Sequence, residues 1–314
     1  DFCLSRGLGD VYKRQTVECA PGTLTPIVLE TLLDCGVNRV SLGVQSFVDA
    51  EAAAVGRQHK RATAFDDISR LHACGITNIN IDLISGLPHQ TAESWKESLD
   101  QTMSTAAPHV SVYMLEVDDD SRLGRELIAG GTRYHAHFVP DEDAVADFYI
   151  TACGTLETAG VKQYEISNSA RAGFESRHNL KYWTRQPYLG FGVDAHSMLL
   201  SVMPEAESVR FATADVLEKY VAGSPLQRSV VSRAAATEEM FFLGLRLNRG
   251  VDLREAARNC APEEFQQVRS VAAELVADGL LEESDGLIRL TSRGRLLSNE
   301  VFQRFLAATP STRG

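Results

Sequence analysis

Cysteine pairs are missing from this chain. Cys3, Cys19, Cys35, Cys74, Cys153 and Cys260 stand singly, with no CxxC or CxxxC among them, so spacing yields neither a zinc site nor a disulfide framework. They read as reduced, mostly buried thiols. Long apolar runs are absent too: nothing approaches the roughly 18 residues of a membrane-spanning helix. The first residues lack the basic, apolar and small-residue sections of a secretory signal, and a cytoplasmic location is the expectation. Basic charge is the scarcer sign, 31 Lys and Arg against 42 Asp and Glu for a net charge of -11, which disfavours general nucleic-acid binding through phosphates. What remains is an ordinary globular composition, 44% apolar and 23% charged over 314 residues, enough for one large domain and a small one.

The most informative stretch is Ile79 to Gln90, INIDLISGLPHQ. At the strand period Ile79, Ile81 and Leu83 share one face while Asn80 and Asp82 share the other. Val40 to Gln45, VSLGVQ, repeats the pattern, with Ser41, Gly43 and Gln45 on the polar side. Gly86, Leu87 and Pro88 stop the Ile79 strand and Thr91 caps a following helix. Asp82 therefore lies near the carboxyl end of a strand that feeds a βα loop, where parallel α/β folds place their ligands.

Thr16–Cys19, Val37–Gln45, the Ile79 strand, Val110–Val117 and Val161–Ser167 alternate with helical patterns, which predicts right-handed crossovers and a parallel sheet. Glu18, Ser41, Gln45, Asn80, Asp82, Ser111 and Tyr113 fall on one common face. A doubly wound sheet would want apolar strands on both faces, so the expected fold class is α/β, a full or partial barrel curved around a polar ligand. Asp1 to Gln15 shows neither period and resembles translated library-adapter sequence, so 1–15 is expected to be non-native. The barrel is expected over 16–224. Over 225–314, helices at Thr237–Leu247, Asp252–Asn259 and Pro262–Asp278, strands at Leu280–Glu283 and Leu287–Thr291, and a helix over Ser292–Leu306 form a winged-helix pattern. Its third helix and wing are acidic, which favours a structural or protein-docking role over DNA reading.

Two groups of residues carry chemistry. Glu18, Gln45, Arg57 and Asp82 offer two carboxylates, an amide and a guanidinium at or just after strand ends, a set suited to a zwitterionic ligand with an ammonium, a carboxylate and ribose hydroxyls. The competing reading makes Asp82 and Arg57 a structural ion pair at the rim. The second group lies within 161–200: YEIS at 164–167, HNLKY at 178–182, Trp183 and the glycine-rich YLGFGVDAHS at 188–197, with Arg171, Arg177, Lys181 and Arg185 making the stretch locally basic. A flat apolar ligand bearing carboxylates would suit it, with a histidine able to ligate iron. A lone histidine is more often an ordinary polar residue, and two in one loop-rich stretch shift that balance.

TVECAPG at 16–22, SLGVQSF at 41–47, GRQH at 56–59, IDLISGLPHQT at 81–91, QYEISNSA at 163–170, HNLKYW at 178–183 and GFGVDAHS at 190–197 resemble, in order, the family of oxygen-independent coproporphyrinogen III oxidase and its haem-chaperone relatives. The resemblance runs from Thr16 to the carboxyl terminus. It implies a partial (β/α)6 radical S-adenosylmethionine (SAM) barrel with a winged-helix-like carboxyl domain. It also implies SAM contacts at Glu18, Gln45, Arg57 and Asp82, and a [4Fe-4S] cluster. HNLKY and GRQH are closer to the chaperone branch, which implies His178 as a haem iron ligand within a motif that includes Asn179 and Tyr182, and haem-acceptor proteins as partners. The family's CxxxCxxC cluster loop is absent from this sequence, so the chain as written is expected to hold no cluster and to lack radical chemistry. The alternatives are a coproporphyrinogen oxidase and a cluster-free (β/α) binding protein with a regulatory winged helix.

Overall fold

The computed structural model describes residues 14–116, 122–129, 135–202 and 206–306. The chain divides into two compact units, one of residues 1–163 and 167–175, the other of 164–166 and 176–314. The sequence-derived boundary at 224 thus lies inside the second unit, and the segment 1–13 lies outside the described residues.

The first unit runs β1 (Thr16–Cys19), α1 (Pro26–Asp34), β2 (Arg39–Gln45), α2 (Asp49–Ala54), α3 (Arg61–Ala73), β3 (Ile79–Ser85), α4 (Ala92–Ser104), β4 (His109–Met114), α5 (Arg122–Ala129), α6 (Glu142–Thr158), β5 (Lys162–Gln163) and β6 (Asn168–Ala170). Local chemistry explains the helix starts. Thr25 accepts the Val28 N–H with Pro26 in the first turn, Thr91 and Ser94 form a reciprocal capping box, and Asp141 accepts the Ala144 N–H. One sheet takes the order β1-β2-β3-β4-β6-β5. Strands β1 to β4 are parallel, as the alternation predicts, but β6 runs antiparallel to β4 and β5 antiparallel to β6. Of the strand expected over Val161–Ser167 only Lys162–Gln163 is extended into the sheet, and β6 follows beyond its end. The reason is local: Tyr164–Ile166 passes into the second unit, where the Ile166 N–H donates to the Arg246 carbonyl at 3.1 Å.

Val40, Leu42, Val44, Ile79, Ile81, Leu83 and Val110 are fully buried on the apolar side of the sheet. Burying each such side chain contributes about 1.5–3 kcal/mol. Trp95 of α4 is also fully enclosed, and its indole N–H donates to the Phe148 carbonyl of α6 at 2.7 Å. This leaves the polar residues of the same strands on the opposite side.

The second unit contains α7 (Arg177–Trp183), β7 (His196–Leu200), β8 (Ala206–Ala212), α8 (Leu217–Val221), β9 (Gln227–Ser232), α9 (Arg233–Gly244), β10 (Val251–Asp252), α10 (Leu253–Asn259), α11 (Pro262–Ala277), β11 (Leu281–Ser284), β12 (Leu287–Leu290), α12 (Ser292–Leu296) and α13 (Ser298–Leu306). Helices α9 to α11 and the sheet β10-β12-β11 follow the winged-helix pattern. The expected helix over Ser292–Leu306 breaks at Leu297, which caps α12 outside the helical region. Phe241 and Phe305, both fully buried, stack at 5.3 Å in a core that also takes in Ile166. The antiparallel sheet β7-β8-β9 was not expected from the sequence.

Candidate functional site

Sheet register lines up the polar side of the first unit. Glu18 sits opposite Ser41, Ser41 opposite Asn80, and Asp82 opposite Ser111. These side chains form a hydrogen-bonded ladder. His109 Nδ1 lies 2.5 Å from Asn80 Oδ1, and the Asn80 amide donates to Ser41 Oγ at 2.6 Å and to Asp82 Oδ1 at 2.7 Å. The Ser41 hydroxyl donates to Asp82 Oδ2 at 2.9 Å. Across the sheet, the Ser111 hydroxyl donates to Asn168 Oδ1 at 2.7 Å. His109 is buried, and burial first, then Arg39 and Arg14, pushes its pKa down from 6.5 to about 2. The imidazole is therefore neutral. With the amide oxygen of Asn80 as the acceptor, its Nδ1 carries the proton, and the ladder runs donor to acceptor from His109 to Asp82. Both carboxylate oxygens of Asp82 are thereby oriented while the residue remains half-buried and open to a ligand.

Gln45 breaks the strand geometry. The register shifts between Leu42 and Gln45, so Gln45 pairs with Leu83 rather than Ile84, and its φ of 67° is left-handed. A bulge of this kind at a strand end re-aims a side chain. A Cβ built on Gly43 would stand 3.0 Å from Gln45 Nε2 and 3.9 Å from both Arg57 Nη2 and the Cys19 carbonyl. Those groups thus converge on a cradle kept open by glycine. Arg57 is half-buried and Glu18 exposed. No ion pair joins Arg57 to Asp82 among the described residues, where Asp82 is instead held by Ser41 and Asn80. The structural ion-pair reading falls on that geometry. Beside the cradle, His59 Nε2 lies 3.2 Å from the Val44 carbonyl, and burial lowers its pKa.

Sequence reasoning missed the groups that hold these loops. The Gln90 amide oxygen accepts the Gly86 N–H at 2.6 Å and its nitrogen donates to Glu51 at 3.1 Å, while the Ser46 hydroxyl also donates to Glu51 at 2.7 Å. The loops after β2 and β3 are tied together through one buried carboxylate. The only sequence signal was the polar pair at the ends of SLGVQS and GLPHQ.

In the second unit, the stretch read as loop-rich contains a helix. Ser176 caps α7 by accepting the Asn179 N–H, which leaves His178 exposed and Asn179 and Tyr182 half-buried. His178 Nε2 and the Tyr182 hydroxyl are 2.8 Å apart, with the rings edge-on at 4.8 Å. Tyr182 meets Tyr188 edge-on at 4.6 Å, and burial, then Tyr188, raises its phenol pKa. The loop after Tyr188 is built rather than loose. A Cβ on Gly190 would collide with the His196 carbonyl, and Thr213 Oγ1 donates to the Gly192 carbonyl at 2.6 Å. Yet the loop presents Phe191 at 86% exposure.

The basic patch is smaller than its sequence suggests. Arg185 is engaged by Glu207 at 2.7 Å and by Glu239 at 3.0 Å, and Arg210 also pairs with Glu239 at 2.7 Å. Arg171 belongs to the first unit. Lys181 is exposed and has no acidic partner within 4.0 Å among the described residues. His196 opens β7, exposed, with Asp194 at 3.7 Å.

A family model for the radical SAM superfamily matches residues 3–102, and one for the HemN C-terminal domain matches 231–297. The chain is 36% identical over 296 residues to the heme chaperone HemW of Bacillus subtilis (strain 168), covering 92% of this chain and 75% of the relative. It is 34% identical over 302 residues to the heme chaperone HemW of Lactococcus lactis subsp. lactis, covering 95% and 76%. The solved coproporphyrinogen III oxidase (HemN) from Escherichia coli, a radical SAM enzyme, superposes with a TM-score of 0.75 at 21% identity, covering 93% of this chain and 69% of that one.

Proposed function

The chain belongs to the radical SAM family of HemW-type heme chaperones, and from that premise we propose that it binds haem through His178 and hands it to an acceptor protein. The observation that carries the ligand assignment is the exposed His178–Tyr182 couple on α7. Haem here is cargo. When the Tyr182 hydroxyl donates to Nε2, the proton on the neutral imidazole sits on Nδ1, and neither nitrogen is open to iron. Loading through Nε2 therefore exchanges the hydrogen bond from Tyr182 for a bond to iron, the phenol keeping its proton, and unloading restores the internal hydrogen bond. That exchange offsets part of the metal bond and keeps release within reach, as a carrier requires. Lys181 stands in the same helix to pair a propionate. The likeness to the oxidase, at 21% identity, concerns the fold.

The radical SAM match implies SAM and a [4Fe-4S] cluster. The first unit's donors suit SAM: Asp82 and Glu18 for its ammonium and hydroxyls, Arg57 for its carboxylate, with the Gly43 cradle admitting the ligand's backbone-near edge. Bound SAM would supply an electrophilic sulfonium. Among the described residues no three His, Cys, Asp or Glu side chains gather where a metal ion could sit, so these residues do not fit a cluster. A cytoplasmic site of action is part of the proposal, in keeping with five free cysteines among the described residues, although none of them is buried as the sequence led one to expect. No described helix is long and apolar enough to cross a membrane.

Haem titration followed by absorption tests the assignment. His178→Ala is expected to remove or shift the Soret band change, and Lys181→Ala to weaken binding with the spectrum intact. An unaltered spectrum and affinity in His178→Ala would overturn His178 as the ligand.

A further inference from the structure

A cavity of about 520 Å³ lies within the second unit, on a side of α7 defined by Trp183, and that size suits a small-molecule ligand. Trp183, Met240, Leu247, Val251 and Leu287 give it apolar walls, and its charged lining is Arg185, Glu207, Arg249, Asp252, Glu255 and Arg289. These charges are not equivalent. Arg185 is saturated by Glu207 and Glu239, and Asp252 accepts the Arg254 N–H at the start of α10. Glu255 is exposed. Arg289 Nε donates to the Arg249 carbonyl at 3.2 Å, which sets the two arginines side by side. Neither guanidinium has an acidic partner within 4.0 Å among the described residues. The Trp183 ring supplies the aromatic part of the wall, with the Arg246 guanidinium 4.4 Å from its centroid.

Two guanidinium groups without acidic partners and an aromatic wall ask for carboxylates on a flat apolar framework. We infer that this cavity is a second recognition site for a tetrapyrrole, with Arg249 and Arg289 pairing its propionates and Trp183 lying against its ring. The inference rests on haem being the cargo, but it needs no iron ligand. It also explains why HNLKYW continues past His178: the same helix carries the iron-side group and the wall of the cavity.

Metal-free protoporphyrin IX separates the two sites, because it offers no iron to His178. Binding to the full chain is followed by porphyrin fluorescence and Soret shift in the parent, His178→Ala, Trp183→Phe and Arg249→Ala/Arg289→Ala. The double arginine variant is expected to bind at least tenfold more weakly, His178→Ala like the parent, and Arg249→Lys/Arg289→Lys to recover most of the affinity. Laurate, a linear carboxylate, should not displace the porphyrin. Parent-like porphyrin binding by the double arginine variant would overturn the site. So would displacement by laurate at comparable concentration, which would reassign the cavity to linear carboxylates. If the double variant does not fold, Arg249→Ala alone, at an exposed position, carries the test. Should His178→Ala leave the haem spectrum unchanged while the arginine variants lose porphyrin, the iron-ligand assignment falls and the cavity stands. The reverse pattern removes the cavity and spares the ligand.

Discussion

Acidification is expected to destabilise the first unit through one side chain, His109. Only 1% exposed at the start of β4, it is neutral when folded, with a pKa near 2, whereas in the unfolded chain it titrates at its ordinary 6.5. Between those values the unfolded state binds a proton that the folded state refuses, so stability is full above pH 6.5 and declines as pH falls towards 2. The slope approaches about 1.4 kcal/mol per pH unit. Integrated from pH 7 to pH 5, the loss is about 2 kcal/mol. Carboxylates titrate in the same range, so the measurement is a difference. His109→Asn keeps a donor for the Asn80 Oδ1 and removes the titration. Urea unfolding is followed by fluorescence of Trp95 in a Trp183→Phe background, where it is the sole remaining tryptophan. The gap in stability between parent and His109→Asn should close by about 2 kcal/mol on going from pH 7 to pH 5. A gap that stays constant across that range would refute a neutral buried imidazole, and with it the assigned direction of the ladder.

Further perturbations address the sites. Asp82→Ala in the parent chain should weaken SAM binding by roughly 1–3 kcal/mol by calorimetry, with a smaller change in melting temperature; unaltered affinity with a large stability loss would instead make Asp82 structural. Gly43→Ala brings a methyl within 3.0 Å of the movable Gln45 amide, so it should leave melting nearly unchanged while lowering SAM affinity several-fold, and equal affinity would remove Gln45 from the site. Arg185→Met strands the buried Glu239 with Arg210 alone and should cost about 3 kcal/mol in denaturant unfolding, whereas Arg61→Ala, from an exposed pair with Glu97, should cost about 0.5 kcal/mol or less. Tyr182→Phe frees His178 Nε2 and should speed haem uptake in stopped-flow absorption without moving the Soret maximum; slower uptake would make the hydroxyl a contributor to binding.

Much of the first unit could be read directly, because its strands alternate. Val40–Val44 and Ile79–Leu83 each announce an apolar and a polar side, and the caps at Thr25, Thr91 and Asp141 mark the helix starts. The polar side was visible as residues but not as a connected ladder, since alternation places Asn80 and says nothing of His109 turning its Nδ1 onto it. Gln45 escaped the period altogether, its bulge being a backbone event that shifts register by long-range pairing. In the second unit the sheet β7-β8-β9 was missed because Gln227–Ser232 shows no apolar alternation. Arg185 was misjudged as an open cation for a similar reason: its partners lie 22 and 54 residues away.

The three residues Tyr164–Ile166 have consequences for how the protein can be taken apart. The Tyr164 carbonyl accepts from the Asn248 N–H at 3.0 Å, Glu165 bridges Leu247, and Ile166 is 6% exposed within the second unit's core. A fragment beginning at Ser176 would therefore lack a core side chain and the partner of Leu247, and one beginning at Pro225 would lack α7 as well. Neither is the second unit in miniature. Because the chain threads out and back through Gln163 and Ser167, unfolding the second unit releases a tether whose two ends are anchored in β5 and near β6. Calorimetry of the intact chain should thus show overlapping rather than separate transitions, and a proteolytic nick between Gln163 and Ser167 should pull the two apart.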